Sequence, residues 1–359
     1  LTIKFYTILM INYNRIFEQD LYDLNSTKKE NFFFKNLSIL NNYHYKNCAE
    51  FKSIANTFVK KKKINTSELP FIHVKMFKEN NLKSIPKVVE TKTYKSSGTS
   101  SDMLSKVNID RKTSLLQSKC LTKIIQNIIN IKKLHKLYII DNKETLANNK
   151  FSARGAAING FRHLADSYEF LLDENNNIKS DLIKKLKFEK DFMIFGFTNI
   201  IWELFLKKLI KKNYKISKNN GFLFHGGGWK KLENISITKM EYNKYINNFN
   251  LINKIYNYYG MVEQTGSIFI ECEKGYYHPS IFSDIHIRDK NLNLCNLNEV
   301  GIIQVSSLLP MSYPGHNILT EDMGKMISKD GCKCGRKGKF FEIIGRIPKT
   351  EVRGCSDVY

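Results

Sequence analysis

The chain has 359 residues, 42% apolar, 12% aromatic and 25% charged, enough for a buried core spread over roughly two domains and unlike collagen-like, mucin-like or wholly disordered chains. Its 57 Lys and Arg against 34 Asp and Glu give a formal charge of +23, which draws anions. The excess is nearly all lysine, scattered through Asn- and Ile-rich text apart from residues 60–63, so the bias of an A/T-rich coding sequence accounts for it, and no aromatic-interleaved basic stripe or nucleic-acid module is present.

In chain order, the opening LTIKFYTILMI is briefly apolar without a cleavage site, and reads as a strand or helix rather than a signal peptide. Residues 14–63 carry helical apolar spacing. The clearest helix is predicted over residues 113–130, where Leu121, Ile124, Ile125, Ile128 and Ile129 share one face. LYII (137–140) reads as a buried strand, and a second helix is expected over 154–172. FMIFGF (192–197) reads as a strand, with Thr198 placed to cap the helix after it. FLFHGGGW (222–229) runs from strand into loop. This alternation is the pattern of a sheet covered by helices. After Tyr259, short β-rich segments at 267–272, 300–308 and 340–346 suggest a smaller β subdomain. No apolar run approaches the ~18 residues of a membrane span. The 7 cysteines, an odd number at irregular spacing, fit a reducing, cytoplasmic setting better than a disulfide framework.

Five segments offer chemistry, and each has a plainer alternative. KSSGTSSDMLSK (95–106) packs hydroxyls and a glycine whose backbone N–H groups can wrap phosphate; it is not a Walker A loop, and alone it is an ordinary Ser-rich turn. HGGGWK (225–230) follows a strand and lets a flat ligand approach bare backbone. A flexible turn or an oxyanion loop are its alternatives, although the G-x-S-x-G elbow an esterase needs is missing. In YYGMVEQTG (258–266) a tyrosine can stack on a base while Glu263 reaches a phosphate-bound Mg²⁺, or the tyrosine is simply buried. LTEDMG (319–324) offers Asp322 to two hydroxyls, and IGR (344–346) offers the fork of Arg346; each by itself reads as a solvated turn. A second constellation, Cys272-x5-His278 with Cys332-x-Cys334, supplies three thiolates and an imidazole, the ligand types of a structural zinc, with reduced buried thiols as the alternative. His225 either orients substrate or ends its strand, and His73, His163, His286 and His316 read as structural.

The order of the five segments resembles that of the adenylate-forming enzymes: acyl-CoA synthetases, peptide-synthetase adenylation domains and luciferases. Within them, LPFIHVKMFK (69–78), YKSSGTSS (94–101), HGGGWKKLE (225–233), YGMVEQTGSIFIECE (259–273), PGHNILTEDMG (314–324), CKCGRKGKFFEIIGR (332–346) and RGCSD (353–357) are similar to the acyl-protein synthetases, or long-chain fatty acid protein ligases, of bacterial bioluminescence operons and their non-luminous relatives.

That resemblance implies an α/β fold: an adenylate-forming N-terminal core of helix-covered sheets with a smaller β-rich subdomain, lacking the mobile C-terminal lid. It divides the chain into an N-terminal helical region (1–65), a nucleotide-binding core (66–260), a β-rich subdomain (261–346) and a tail (347–359). It assigns ATP phosphates to Ser96, Ser97, Gly98, Thr99 and Ser100 with Lys106 behind them, adenine to Gly226, Gly227, Gly228 and Tyr259, Mg²⁺ to Glu263, ribose to Asp322, and completion of the site to Arg346. Ser101 and Asp102 replace the usual second glycine of the phosphate loop, and T-E-D replaces the usual T-G-D. Cys355 matches the cysteine that receives the acyl group before hand-over to a fatty-acid reductase or acyl carrier partner. The implied reaction joins a carboxylic acid, a long-chain fatty acid, to AMP and then to a protein thiol. The alternatives are ligation to CoA, a carrier-protein thiol or an amino sugar, and, remotely, nucleic-acid binding.

Overall fold

A computed structural model describes residues 11–58, 65–96, 104–131, 134–148, 152–186, 188–189, 192–212, 221–228, 237–248 and 252–347. The opening segment 1–10, most of the phosphate loop (97–103) and the tail from 348, with Cys355, lie outside the described residues. The chain divides into two compact units: one holds the described parts of Phe77–Asn81 and Pro86–Glu271, the other those of Leu1–Met76, Leu82–Ile85 and Cys272–Tyr359.

The first unit is built on a mostly parallel sheet. Its strands lie in the order Phe269–Glu271, Ile252–Tyr259, Gly221–Gly226, Phe192–Phe197, Leu134–Ile139 and Ala165–Phe170, and only the first pair is antiparallel. Buried strands of such a sheet are covered on both faces and read as unbroken apolar runs. FMIFGF and GFLFHG behave so, with all but Phe197 buried. The helix Arg111–Ile129 starts where the Asp110 carboxylate accepts the Thr113 N–H at 2.9 Å and ends at Asn130 with φ 55°, a cap and a left-handed stop. It buries Leu121, Ile124, Ile125 and Ile129, each worth about 1.5–3 kcal/mol over exposure. A second apolar cluster joins Tyr138, Leu182, Phe192, Ile201, Trp202 and Leu223.

The second unit has an antiparallel sheet in the order Ser283–Arg288, Val300–Ser307, Asn317–Ser328, Phe340–Arg346 and Tyr277–His278, with Ile72–His73 parallel to the start of the long strand. The helices Tyr13–Glu18, Ser26–Asn47 and Ala49–Ala55 belong to this unit. His44 anchors the long helix: its ring meets Ser84 Oγ at 2.8 Å and the Pro310 carbonyl at 3.1 Å, and stacks on His316 with centroids 4.6 Å apart. No helix among the described residues is long and apolar enough to cross a membrane.

Three local expectations are corrected. The helix expected over 154–172 ends at Arg162, and Ala165–Phe170 is an edge strand; its inner residues are exposed, so no apolar alternation announces it. LTEDMG is not a turn but lies inside the twelve-residue strand Asn317–Ser328. Thr198 does not cap its helix, whose N-cap is Phe197 without a side-chain bond; the hydroxyl faces the neighbouring strand instead.

Candidate functional site

In an open parallel sheet the ligand-binding edge is the one where strands end at their carboxyl termini. Gly226, Gly227 and Gly228 sit there, at the end of Gly221–Gly226. All three favour glycine on geometry, Gly228 through its left-handed φ of 58°. A Cβ on Gly226 would stand 2.7 Å from the Tyr258 carbonyl of the adjacent strand, and Gly227 (φ 83°) would drive one to 2.8 Å from the Phe197 ring. Thr198 supports the loop from behind: its Oγ lies 2.9 Å from His225 Nδ1 and 3.1 Å from the Gly226 carbonyl. Burial pushes the His225 imidazole down to about 3, so the ring is neutral where it meets Thr198. Thr198 is a supporting residue that sequence reading missed, because its partners are 27 and 28 positions away.

One strand over, Ile252–Tyr259 carries Tyr259 out of the same edge, half-buried, its ring 5.9 Å from Phe269. The chain then turns through a short helical turn, Val262–Gln264, in which Glu263 is 4% exposed. Gly266 (φ 86°) closes this turn against the helix Arg111–Ile129, and a Cβ there would meet the Gln117 carbonyl at 2.5 Å. The turn that carries Glu263 is thereby packed directly against the helix backbone. A carboxylate is the kind of hard oxygen donor that Mg²⁺ takes beside phosphate oxygens, and Glu263 is the carboxylate this turn carries.

Ser96 stands at the mouth of the Ser/Thr/Gly loop. Its N–H donates to the Ser105 carbonyl at 3.1 Å and its hydroxyl accepts the Ser105 N–H at 3.0 Å. The hairpin Lys92–Lys95 with Lys106–Ile109 pairs Lys95 with Lys106 immediately below, and Lys106 is exposed. Ser97, Gly98, Thr99 and Ser100 lie outside the described residues.

Asp322 and Arg346 belong to the other unit, and that unit brings them together. They are direct cross-strand partners, with Arg346 Nε 3.1 Å from Asp322 Oδ1, and the register shifts immediately afterwards, between Met323 and Gly324. Such bulges re-aim side chains. Thr320 braces the pair: its buried hydroxyl donates to the Ile303 carbonyl at 2.7 Å and accepts the Asp322 N–H at 3.0 Å. The same unit gathers Cys272, His278, Cys332 and Cys334, whose ligand atoms all lie within 4.8 Å of one another.

Comparison with known proteins gives a family. Residues 9–359 match the family described as acyl-protein synthetase, LuxE. The chain belongs to that family. No curated protein matches it in sequence. Solved structures of 2-hydroxyisobutyryl-CoA ligase share its fold. The open conformation, with 2-HIB-AMP and CoA, gives a TM-score of 0.69 at 13% identity over 91% of this chain and 77% of that one. The thioesterification state gives 0.68 at 11% identity over 91% and 70%, and the postadenylation state with R3-HIB-AMP gives 0.66 at 13% over 91% and 69%. The α/β architecture of this acyl-protein synthetase family member is therefore that of an adenylate-forming core.

Proposed function

We propose that the protein activates a long-chain fatty acid with ATP and passes the acyl group to a protein cysteine. The observation that carries this reading is that the glycine loop, Tyr259 and Glu263 all leave one parallel sheet at its carboxyl edge, in a chain whose family is that of acyl-protein synthetases. A carboxylate lacks a leaving group. Attack of its oxygen on the ATP α-phosphate forms a C–O–P linkage, breaks the α–β phosphoanhydride bond and releases pyrophosphate.

In this reading Gly226 to Gly228 and Tyr259 hold the adenine, Asp322 accepts the ribose hydroxyls, and Arg346, already oriented by Asp322, adds a fixed positive charge. Ser96, Ser97, Gly98, Thr99, Ser100 and Lys106 hold the β- and γ-phosphates through hydroxyls, backbone N–H groups and one cation. Glu263 holds Mg²⁺, which, when bound, neutralises phosphate charge. In the second half, the thiolate of Cys355 attacks the acyl carbonyl and AMP leaves. Arg353 beside it favours the thiolate. The thioester is then available to a reductase or acyl carrier partner, and a reducing cytoplasm keeps the thiols competent.

Carboxylate-dependent exchange of labelled pyrophosphate into ATP, run over a panel of chain lengths, tests the first half; the expected result is exchange that rises with chain length, and none with any acid would refute it. Labelling with radioactive fatty acid and ATP tests the second: Cys355→Ser should keep exchange and lose protein-bound label, whereas undiminished label removes Cys355 from the mechanism.

A further inference from the structure

We infer that Cys272, His278, Cys332 and Cys334 form a closed, four-ligand structural zinc site, separate from the reaction proposed above. A tetrahedral centre with Zn–S of about 2.3 Å and Zn–N of about 2.0 Å places its sulfurs ~3.8 Å apart and sulfur from nitrogen ~3.6 Å apart. Here Cys272 Sγ lies 4.0 Å from Cys332 Sγ, and Cys334 Sγ lies 3.4 Å from His278 Nε2. A satellite apolar cluster of reduced thiols has no reason to aim four donor atoms at one point. These four converge from a turn and the short strand Tyr277–His278 after it, and from a second turn, with Cys272 and Cys332 60 residues apart.

Each turn is built to present its sulfur. Cys272 opens a tight turn in which its carbonyl accepts the Gly275 N–H at 2.9 Å and its own N–H donates to Tyr276 at 2.8 Å, with Gly275 at φ 84°. Cys332 opens a matching one: its carbonyl accepts the Gly335 N–H at 3.0 Å, and Gly335 has φ 87°. The imidazole is locked by its neighbours, stacked on Phe340 at 5.6 Å and edge-on to Tyr22 at 6.4 Å. Cys272, His278 and Cys332 are buried and Cys334 is partly so. With four protein ligands and this burial, no position is left for water or substrate, which distinguishes a structural from a catalytic centre.

The metal has work to do there. Residues 329–339 join the long strand Asn317–Ser328 to Phe340–Arg346, and that hairpin carries two register shifts, at Met323/Gly324 and Met326/Ser328. A one-residue slip in a strand pair turns every side chain to the other face. Fixing the connection to Cys272 and His278 pins the pairing from one end, so that Asp322 meets Arg346 at the other.

The test is metal analysis of the full chain, purified without a metal-affinity tag and without added zinc. About one zinc per chain is expected, falling below ~0.1 in Cys332→Ser and Cys334→Ser but retained in Cys295→Ser, whose thiol lies outside the set. Should the cluster variants fail to fold, the wild-type chain is stripped with a mercurial, reduced and reloaded with Co²⁺. Intense visible bands of tetrahedral cobalt with a thiolate charge-transfer band support the site, and a weak octahedral spectrum overturns it. Wild-type protein with less than ~0.1 zinc per chain, or with iron in its place, also overturns it. Because zinc content is read without ATP or fatty acid, failure here leaves the proposed reaction standing, and the reverse holds as well.

Discussion

The two units present their candidate residues by different means. In the parallel-sheet unit, Gly226 to Gly228, Tyr259 and Glu263 sit where strands stop, and the position of each follows from the backbone leaving the sheet. In the antiparallel unit, Asp322 and Arg346 sit within strands, and their meeting depends on pairing register. The first arrangement fails when the backbone is pushed aside. The second fails when a strand slips.

The largest expected effect breaks the first arrangement. Gly266→Ala combines a left-handed φ with a Cβ 2.5 Å from a helix carbonyl, and should cost about 3 kcal/mol in urea unfolding, with loss of exchange activity because Glu263 moves. Gly324→Ala is the counterpart in the hairpin: its Cβ would meet the Glu342 carbonyl at 2.5 Å at the bulge beside Asp322. About 2 kcal/mol is expected, and a new disulfide between engineered cysteines at 322 and 346 would form less readily than in the parent if the register slips.

Acid distinguishes the units more gently. Burial holds the imidazoles of His44 and His225 down to about 3 and that of His316 well below its ordinary range. Below the unfolded value near 6.5, the unfolded chain binds protons that the folded chain refuses. Stability is therefore complete above that pH and declines as pH falls toward 3, by about 1.4 kcal/mol per imidazole one unit below 6.5. Two of the three rings lie in the antiparallel unit, so proteolysis at pH 5.5 should open it first. The smallest stability effect is that of Asp322→Asn, because the Arg346 side chain is 40% exposed and such pairs contribute under ~1 kcal/mol. Its exchange activity should nonetheless fall by on the order of tenfold or more, the worth of a charged hydrogen bond. Equal loss of stability and activity would assign Asp322 to the fold alone.

The same contrast explains what was legible in the sequence. Parallel strands are apolar throughout and their ends carry glycine, so FMIFGF and FLFHGGG announce themselves. The exposed edge strand Ala165–Phe170 carries no such mark, and its sequence reads as a continuation of the preceding helix. LTEDMG holds polar residues that suit a turn, yet Asp322 meets Arg346, and Thr320 meets the Ile303 carbonyl, only after the strands pair. The Cys/His set was recognisable by residue type, but its convergence depends on a strand pair and a long connection that spacing alone does not encode.

The central claim is that a fatty carboxylate oxygen attacks the α-phosphate of ATP. Incubation with a fatty acid labelled with oxygen-18 in both carboxyl oxygens, followed by mass spectrometry of the nucleotide and pyrophosphate, reads that bond directly. The account predicts one heavy oxygen in each AMP released on thiol transfer and none in pyrophosphate. Unlabelled AMP, or label in inorganic phosphate, would contradict it.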